Sequence, residues 1–472
     1  MIVINGATTN GIPKIGFNTI GIPNVTVSLM LNKPGTNDNV AIALLSSRLP
    51  KIMIAITKPI VTPEPPNSPH ICKKYILMIF FGAYIGNLYI LQIVALTFAV
   101  LSTNLKEVKI KTDTILWLLV CMILIMSVCY SINRQESIEL ASLISMAIIL
   151  KILYENQSEE WNKYFTKIAW IASGIHVIAT ILQLLFPNMI NSINSAILSA
   201  ESLKINQDLF RAGGYAGITA QTTVNAFYIT IFVGISALNL VVKKEHKIAN
   251  ITFLVISIIA LFITGKRGLL IFSVISIALI YIYIAFKDEK NILKYIVMIL
   301  IVVSIGYIAV INIPQTQVII DKIQVLNENK DALNGRDKLW KESIEVFINN
   351  PLMGIGIGAI KEVIGEYSHN SYIQILAETG IVGAIIYVLA ILTSVFITIR
   401  KASLILKKEN LEQKMSIAMS LFLQGVFIMY SFTGNPLYGQ YFLVPYMIAI
   451  AMSNSINIKE ENEIENRNNY LP

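Results

Sequence analysis

Three arginines and one histidine have the side chains and surroundings to carry chemistry in this chain of 472 residues. Arg211 lies just before a glycine pair, Arg267 follows Lys266 at the start of an apolar run, and Arg336 opens a long polar interval. A guanidinium keeps its charge and presents a rigid fork of donors, so three of them converging on one site would hold a pyrophosphate. The histidine, His369, could take a proton from an attacking hydroxyl, because imidazole titrates near neutral pH.

Each of these residues has a plainer interpretation, which the sequence leaves open. Any one of the arginines could be a solvated charge, and His369 could be an interfacial histidine bonded to a loop carbonyl. Lys266 could assist Arg267 or meet the lipid headgroups. Asn370 could orient His369 or cap the following helix.

Glu378 lies about two turns inside an apolar helix, where an ionisable group is costly unless it is paired or faces a wet cavity. It therefore needs a partner. We expect it to pair with one of the arginines and orient the guanidinium, with a role as general base as the alternative.

The composition indicates an integral membrane protein. Hydrophobic residues make up 55% of the chain and charged residues only 14%, whereas charged residues are about 25% of an ordinary soluble domain. Several runs approach the ~20 apolar residues that a helix needs to cross a bilayer. The predicted fold is all-α, a polytopic helical membrane protein with 11 or 12 transmembrane helices. The candidate spans are Tyr75–Val100 (one helix or two), Thr114–Tyr130, Ile138–Leu153, Phe165–Phe186, Val224–Val242, Ile251–Thr264, Leu269–Phe286, Ile292–Ile311, Tyr372–Ile399, Met415–Phe432 and Tyr438–Met452.

Basic residues predict the orientation, because lysine and arginine in short loops favour the cytoplasmic side. The basic clusters are Lys106-Lys109-Lys111, Lys243-Lys244-Lys247, Lys287-Lys290-Lys294 and Arg400-Lys401-Lys407-Lys408. With these clusters inside, the loops 187–223 and 312–371 both face outward. The same pattern accounts for the net charge of +8 without nucleic acid as a partner. The second loop carries the spacing of an amphipathic helix from Arg336 to Asn350.

The chain divides into three predicted parts. Residues 1–74 are rich in Gly, Pro, Asn and Thr and predict a poorly ordered N-terminal extension. Residues 75–456 form the transmembrane domain, and 457–472 are a cytoplasmic tail.

Other candidate sites are weaker. His176 lies on an apolar helix and is typical of a satisfied core residue, while His246 belongs to a lysine cluster and His70 to the N-terminal extension. Gly354, Gly356 and Gly358 follow no strand, so they indicate tight turning and not a phosphate loop.

Several motifs in the second half of the chain resemble the O-antigen ligase/polymerase family of bacterial surface polysaccharide enzymes. They are Gly335-Arg336 with Trp340, Asn350-Pro351-Leu352 with Gly354-Ile355-Gly356, His369-Asn370-Ser371-Tyr372, and Glu378-Thr379-Gly380-Ile381-Val382-Gly383. The resemblance extends from about Arg211 to Ile450.

The resemblance implies a glycosyltransferase C-like fold and an inverting, metal-independent glycosyltransferase without a cofactor. Its donor would be an oligosaccharide on undecaprenyl pyrophosphate, outside the cytoplasmic membrane. Its acceptor would be a glycan or a lipid, and membrane lipids would surround the protein. Arg211, Arg267 and Arg336 would bind the pyrophosphate, and His369 would activate the acceptor. Asn370, Glu378 and Lys266 would support substrate binding.

Within the family, a capsule or O-antigen polymerase is favoured, because heavy use of Ile, Asn and Lys indicates an AT-rich genome compatible with a capsule-forming cell. A ligase acting on lipid or protein is next. The alternative from another class is a transporter or flippase of lipid-linked glycans. Polar residues gathered in two outward loops favour one-sided chemistry over transport.

Overall fold

The structure is a computed structural model that describes residues 108–287, 335–406 and 410–457, together with Ser304. Within these ranges the regular elements are helices. In chain order they are α1 (Thr112–Val128), α2 (Arg134–Glu155), α3 (Glu160–Leu185), α4 (Pro187–Ile197), α5 (Ala200–Arg211), α6 (Thr222–Leu238, continued by a π-helical turn Asn239–Lys243), α7 (Lys247–Ile263), α8 (Arg267–Lys287), α9 (Arg336–Asn349), α10 (Ile360–Ile364), α11 (Ser371–Ile405), α12 (Leu411–Tyr430), a 3₁₀ turn (Pro436–Tyr438) and α13 (Gln440–Ser455).

The described helices confirm the all-α polytopic fold. Five are long and apolar enough to cross a membrane, namely Arg134–Glu155, Glu160–Leu185, Thr222–Lys243, Arg267–Ala285 and Ser371–Ile405. Two shorter helices, α1 and α7, are also apolar. Every predicted span within the described ranges coincides with a helix. The spans Tyr75–Val100 and Ile292–Ile311, the extension 1–74 and the tail beyond Asn457 lie outside the described residues, so the total of 11 or 12 stays a prediction.

The core lies around α6 and α13, which are buried along nearly their whole length. Both are apolar on all sides, the pattern of a helix at the centre of a bundle. In contrast, α11 exposes large apolar side chains such as Leu392 and Phe396. Those positions suit contact with lipid.

The predicted outward and inward connections segregate to opposite ends of the bundle. At one end, the Tyr130 hydroxyl donates to the Met353 carbonyl at 2.7 Å, which joins the α1–α2 turn to the segment after α9. At the other end, the Gln413 amide donates to Glu159 at 2.6 Å, which joins the starts of α12 and α3. These two contacts lie at opposite ends of the bundle, and the orientation of the bundle in the membrane stays a prediction.

A break in α11 is filled by the segment that follows α9. Gly380 has a φ of 65° inside the helix, which interrupts the helical hydrogen bonds there. The Ile355 and Gly356 amides donate to the carbonyls of Ala377 at 3.2 Å and Glu378 at 2.8 Å, and the Ile381 amide donates to Pro351 at 2.8 Å. Two of the sequence motifs are thus bonded to each other backbone to backbone.

We expect Gly380→Ala to lower the free energy of unfolding by about 2–6 kcal/mol. The backbone at Gly380 (φ 65°, ψ −170°) is in a region essentially confined to glycine, where alanine costs about 1–3 kcal/mol. Overpacking adds about 1–3 kcal/mol, since an added Cβ would lie 2.3 Å from the Leu352 carbonyl group. Gly365→Ala is the matched control, since Gly365 has a φ of 86° and open space around it. Thermal and denaturant unfolding in detergent measure both variants, and equal losses would contradict the close packing described here.

Candidate active site

Arg336 begins α9 and contacts the connection between α12 and α13. Gly335 precedes it with a φ of 74°, a conformation that glycine adopts without strain. The Nη1 atom of Arg336 donates to the Thr433 carbonyl at 2.7 Å. Its Nε atom is buried without a hydrogen-bond partner. The guanidinium is therefore fixed at one edge, with donor capacity left for a ligand.

His369 occupies the turn that leads into α11. It is a non-glycine residue with a φ of 53°, in the left-handed region that favours glycine. The neighbouring residues hold this conformation, because the Ser368 hydroxyl donates to the Asn370 carbonyl at 2.9 Å. Backbone strain of this kind persists where the surrounding structure determines it, and it is frequent at functional sites. The imidazole is half-buried at the predicted outward end.

Asn370 caps α11. Its side-chain oxygen accepts from the Tyr372 amide at 3.0 Å and from the Ile373 amide at 3.2 Å. Of the two interpretations of Asn370, the capping role is confirmed.

The surroundings of His369 favour the neutral form of its imidazole. Burial lowers the pKa of His369 from its ordinary value of 6.5, and the positive charge of Arg336 lowers it further. Glu366 acts in the opposite direction, and Lys266 again lowers the pKa. A histidine that is neutral at physiological pH can accept a proton, which is what a general base must do.

The prediction that Glu378 pairs with an arginine is wrong. Its fully buried carboxylate accepts from the Tyr438 hydroxyl at 2.5 Å, the Gln374 amide at 3.1 Å and the Ile360 backbone amide at 3.4 Å. Neutral donors satisfy it, and none of Arg211, Arg267 or Arg336 forms an ion pair with it among the described residues. It joins α11 to α10 and to the 3₁₀ turn, so its contribution to the site is positional.

The connection Ser431–Asn435, between α12 and α13, is part of the site that sequence reasoning missed. Its carbonyls at Ser431 and Gly434 accept from the Ser371 amide at 2.8 Å and 3.2 Å. Through Thr433 it also holds Arg336, so it ties α9 to the start of α11. The run Thr433-Gly434-Asn435-Pro436 between two apolar helices was a turn signal that could have identified it.

Of the remaining predicted residues, Lys266 and Arg267 lie near this connection, whereas no contact among the described residues places Arg211 there. An added Cβ at Gly268 would lie 3.4 Å from the Thr433 hydroxyl, so the start of α8, with Lys266 and Arg267 beside it, adjoins the same connection. Arg267 is exposed. Arg211 ends α5, where its guanidinium is 3.1 Å from Asp208 and 75% exposed. The structure thus brings Arg336, Lys266 and His369 together, while convergence of all three arginines stays a prediction.

Two other sequence interpretations are confirmed. His176 is fully buried, its Nδ1 lies 3.0 Å from the Asn225 side-chain oxygen, and its ring stacks on Tyr228 at 4.3 Å. It is a satisfied core residue. The three glycines Gly354, Gly356 and Gly358 all have positive φ values, and the first packs directly against the α11 backbone. They serve tight turning and close packing.

Several helices of membrane length define a polytopic membrane protein. One end of its helical bundle carries a basic site that contains a histidine. Residues 252–388 match a family model described as O-antigen ligase. This match confirms the predicted resemblance to the O-antigen ligase/polymerase family over that segment. A search of curated proteins finds no significant match.

The matched segment is shorter than the predicted extent of Arg211 to Ile450. It contains Lys266, Arg267, Arg336, His369, Asn370 and Glu378. Arg211 and the Ser431–Asn435 connection lie outside it. In general terms the family implies a glycosyltransferase-like membrane enzyme of polysaccharide biosynthesis, with lipid-linked oligosaccharides and glycan acceptors as the kind of partner.

Proposed function

We propose that this protein transfers or polymerises oligosaccharide units from undecaprenyl pyrophosphate on the outer face of the cytoplasmic membrane. The observation that carries the proposal is the grouping of Arg336, Lys266 and His369 at the predicted outward end. A diphosphate leaving group needs fixed positive charge, and an attacking hydroxyl needs a base. This end of the bundle supplies both.

In the proposed reaction, an acceptor hydroxyl attacks the anomeric carbon of the donor sugar. The new carbon–oxygen bond forms as the bond to the pyrophosphate oxygen breaks, and the leaving group departs with that electron pair. The Arg336 guanidinium, fixed by its bond to Thr433, stabilises the negative charge that develops on the leaving group. Arg211 and Arg267 are proposed as further pyrophosphate ligands from α5 and α8.

His369 receives the proton of the attacking hydroxyl in this scheme. Its neutral state at physiological pH follows from burial and from the two neighbouring cations. The same cations disfavour the imidazolium that forms, so they speed its return to the neutral base after transfer. Asn370 and Glu378 keep the start of α11 in place and do not touch the reacting atoms.

A capsule-type or O-antigen-type polymerase is the favoured form of this activity, and ligation to lipid or protein is the next. Purified protein in lipid with a synthetic undecaprenyl-pyrophosphate oligosaccharide distinguishes the two, since a polymerase yields a ladder of lengthening products. Chelator is included in parallel. We expect transfer to continue in its presence, and arrest by the chelator would contradict metal independence.

The pH profile of transfer tests the assignment of His369. The base must be unprotonated, so the rate falls as pH drops through its pKa, and we expect the acidic limb below pH 6.5 because the pKa is lowered from that value. Lys266→Gln removes a cation and should move the limb to higher pH. Glu366→Gln removes an anion and should move it to lower pH.

The opposite directions make these two variants controls for each other. A general loss of activity would lower both profiles without moving the limb. Displacement of both limbs in the same direction, or of neither, would contradict the role of His369 as the base.

A further inference from the structure

Unpartnered polar atoms gather around the connection between α12 and α13. Among the described residues, five buried side-chain atoms without a hydrogen-bond partner belong to this region, namely Arg336 Nε, Trp340 Nε1, Thr433 Oγ1, Asn435 Oδ1 and Gln440 Oε1. Such atoms are rare in folded proteins, and each is satisfied by an ordered water or by a bound group. The five side chains are only half-buried, so a ligand can reach them from the outer surface.

The five atoms belong to two segments in contact. Arg336 and Trp340 are one helical turn apart on α9, so they share a face. The bond from Arg336 to the Thr433 carbonyl, at 2.7 Å, joins that face to the connection that carries Thr433, Asn435 and Gln440. The two segments that carry the five atoms therefore meet at the Arg336–Thr433 bond.

A chain of hydrogen bonds fixes the orientation of the Asn435 amide. The Ser368 backbone amide can only donate, and it donates to Gln374 Oε1 at 3.2 Å. This leaves Gln374 Nε2 to donate to Glu378 at 3.1 Å, while Gln374 Oε1 also accepts from Asn435 Nδ2 at 2.6 Å. Asn435 Oδ1 is consequently left over as an acceptor, and buried Glu378 acts as a positioning residue for it.

The two amide oxygens among these atoms exclude pyrophosphate as the shared partner of all five. An ionised diphosphate offers acceptors alone, so it cannot satisfy the amide oxygens of Asn435 and Gln440. A sugar hydroxyl donates and accepts at once, so a row of hydroxyls satisfies the amide oxygens, the Thr433 hydroxyl and the Trp340 indole N–H together. Phe432 in the same connection is 54% exposed, and its ring packs against Tyr372 with the ring centroids 4.7 Å apart.

We propose that Trp340, Thr433, Asn435 and Gln440 form a saccharide-binding subsite that positions a sugar next to His369. The placement follows from the bond of Ser371, two residues after His369, to the Ser431 carbonyl at 2.8 Å. The subsite deepens the proposed transferase activity and rests on it for its biological role. Its ligand class is a neutral, hydroxyl-rich sugar, separate from the charged leaving group that Arg336 holds.

Binding of lipid-free glycan tests the subsite. The probe is a set of oligosaccharide fragments released by mild acid from the surface polysaccharide of the cell that makes the protein, and affinity is measured on purified protein in detergent. Thr433→Val and Trp340→Phe remove a hydroxyl and an indole N–H at nearly constant volume. We expect each to weaken binding about twofold to tenfold, the range for one neutral hydrogen bond. Asn435→Ala should weaken it at least as much.

Matched controls separate this effect from general damage. Thr433→Ser keeps the hydroxyl and should bind like the unaltered protein. Trp170→Phe removes another buried, unpartnered indole N–H on α3 and should also have no effect. Thermal unfolding is measured for every variant.

Inhibition of transfer by inorganic pyrophosphate reports on the leaving-group site separately. It should stay unchanged in Thr433→Val and Trp340→Phe. Oligosaccharide affinity that is unaltered in Thr433→Val, Trp340→Phe and Asn435→Ala would overturn the subsite while leaving the transferase proposal intact. Weakened oligosaccharide binding in a protein that pyrophosphate does not inhibit would support the subsite and count against the proposed leaving group.

Discussion

Arg336→Ala is expected to slow glycan transfer by about a hundredfold or more. The guanidinium is bonded to the Thr433 carbonyl and has an unpartnered Nε atom, so it is fixed and still able to donate. Removing one such preorganised donor costs about 2.7–4 kcal/mol of transition-state stabilisation, which is about a hundredfold to a thousandfold in rate. Initial rates on the lipid-pyrophosphate donor, with thermal unfolding in parallel, measure the effect.

Two variants control this experiment. Arg400→Ala removes an exposed arginine near the opposite end of the bundle and should transfer at the normal rate. Arg336→Lys keeps the charge but loses the fork geometry, so we expect an intermediate rate. Full activity in a folded Arg336→Ala protein would remove this residue from the site.

Lys151→Met should destabilise the protein by about 3–5 kcal/mol, the cost of breaking a buried ion pair by removing one partner. The Lys151 ammonium lies 3.0 Å from Asp113 and 2.8 Å from Glu155, and all three side chains are buried. The Asn454 amide donates to both carboxylates, which ties α13 to α1 and α2. Without the lysine, two buried carboxylates would face each other without their ion-pair partner.

Denaturant unfolding of the purified protein in detergent measures this loss. Lys163→Met removes an exposed lysine 3.6 Å from Glu412 and should change the free energy of unfolding by less than about 1 kcal/mol. The double variant Lys151→Met with Asp113→Asn removes one charge of each sign and should recover part of the stability. Equal effects at Lys151 and Lys163 would contradict the buried cluster.

The sequence predicted the features that depend on local patterns. The amphipathic helix Arg336–Asn349 was recognisable because its apolar residues recur at helical spacing. Asn370 was recognisable as a cap from its type and its place before an apolar run. Glycines at the motif positions predicted turns for the same local reason.

Features that depend on distant pairs were not predicted. Glu378 is bonded to Tyr438, sixty residues further along the chain, and nothing in the local pattern of either residue indicates the other. The role of Thr433 as an anchor for Arg336 uses a backbone carbonyl, which every residue has. Lys151 and Glu155 did carry a signal, because they interrupt an apolar helix at a spacing that allows them to pair.

Transfer by the protein reconstituted in liposomes, with a synthetic undecaprenyl-pyrophosphate oligosaccharide confined to the leaflet that matches the outer face, tests the central claim most directly. We predict one undecaprenyl pyrophosphate released for every glycosidic bond formed, and loss of both products in His369→Ala. Movement of the intact lipid-linked oligosaccharide across the bilayer without bond formation would contradict the account and identify a flippase instead.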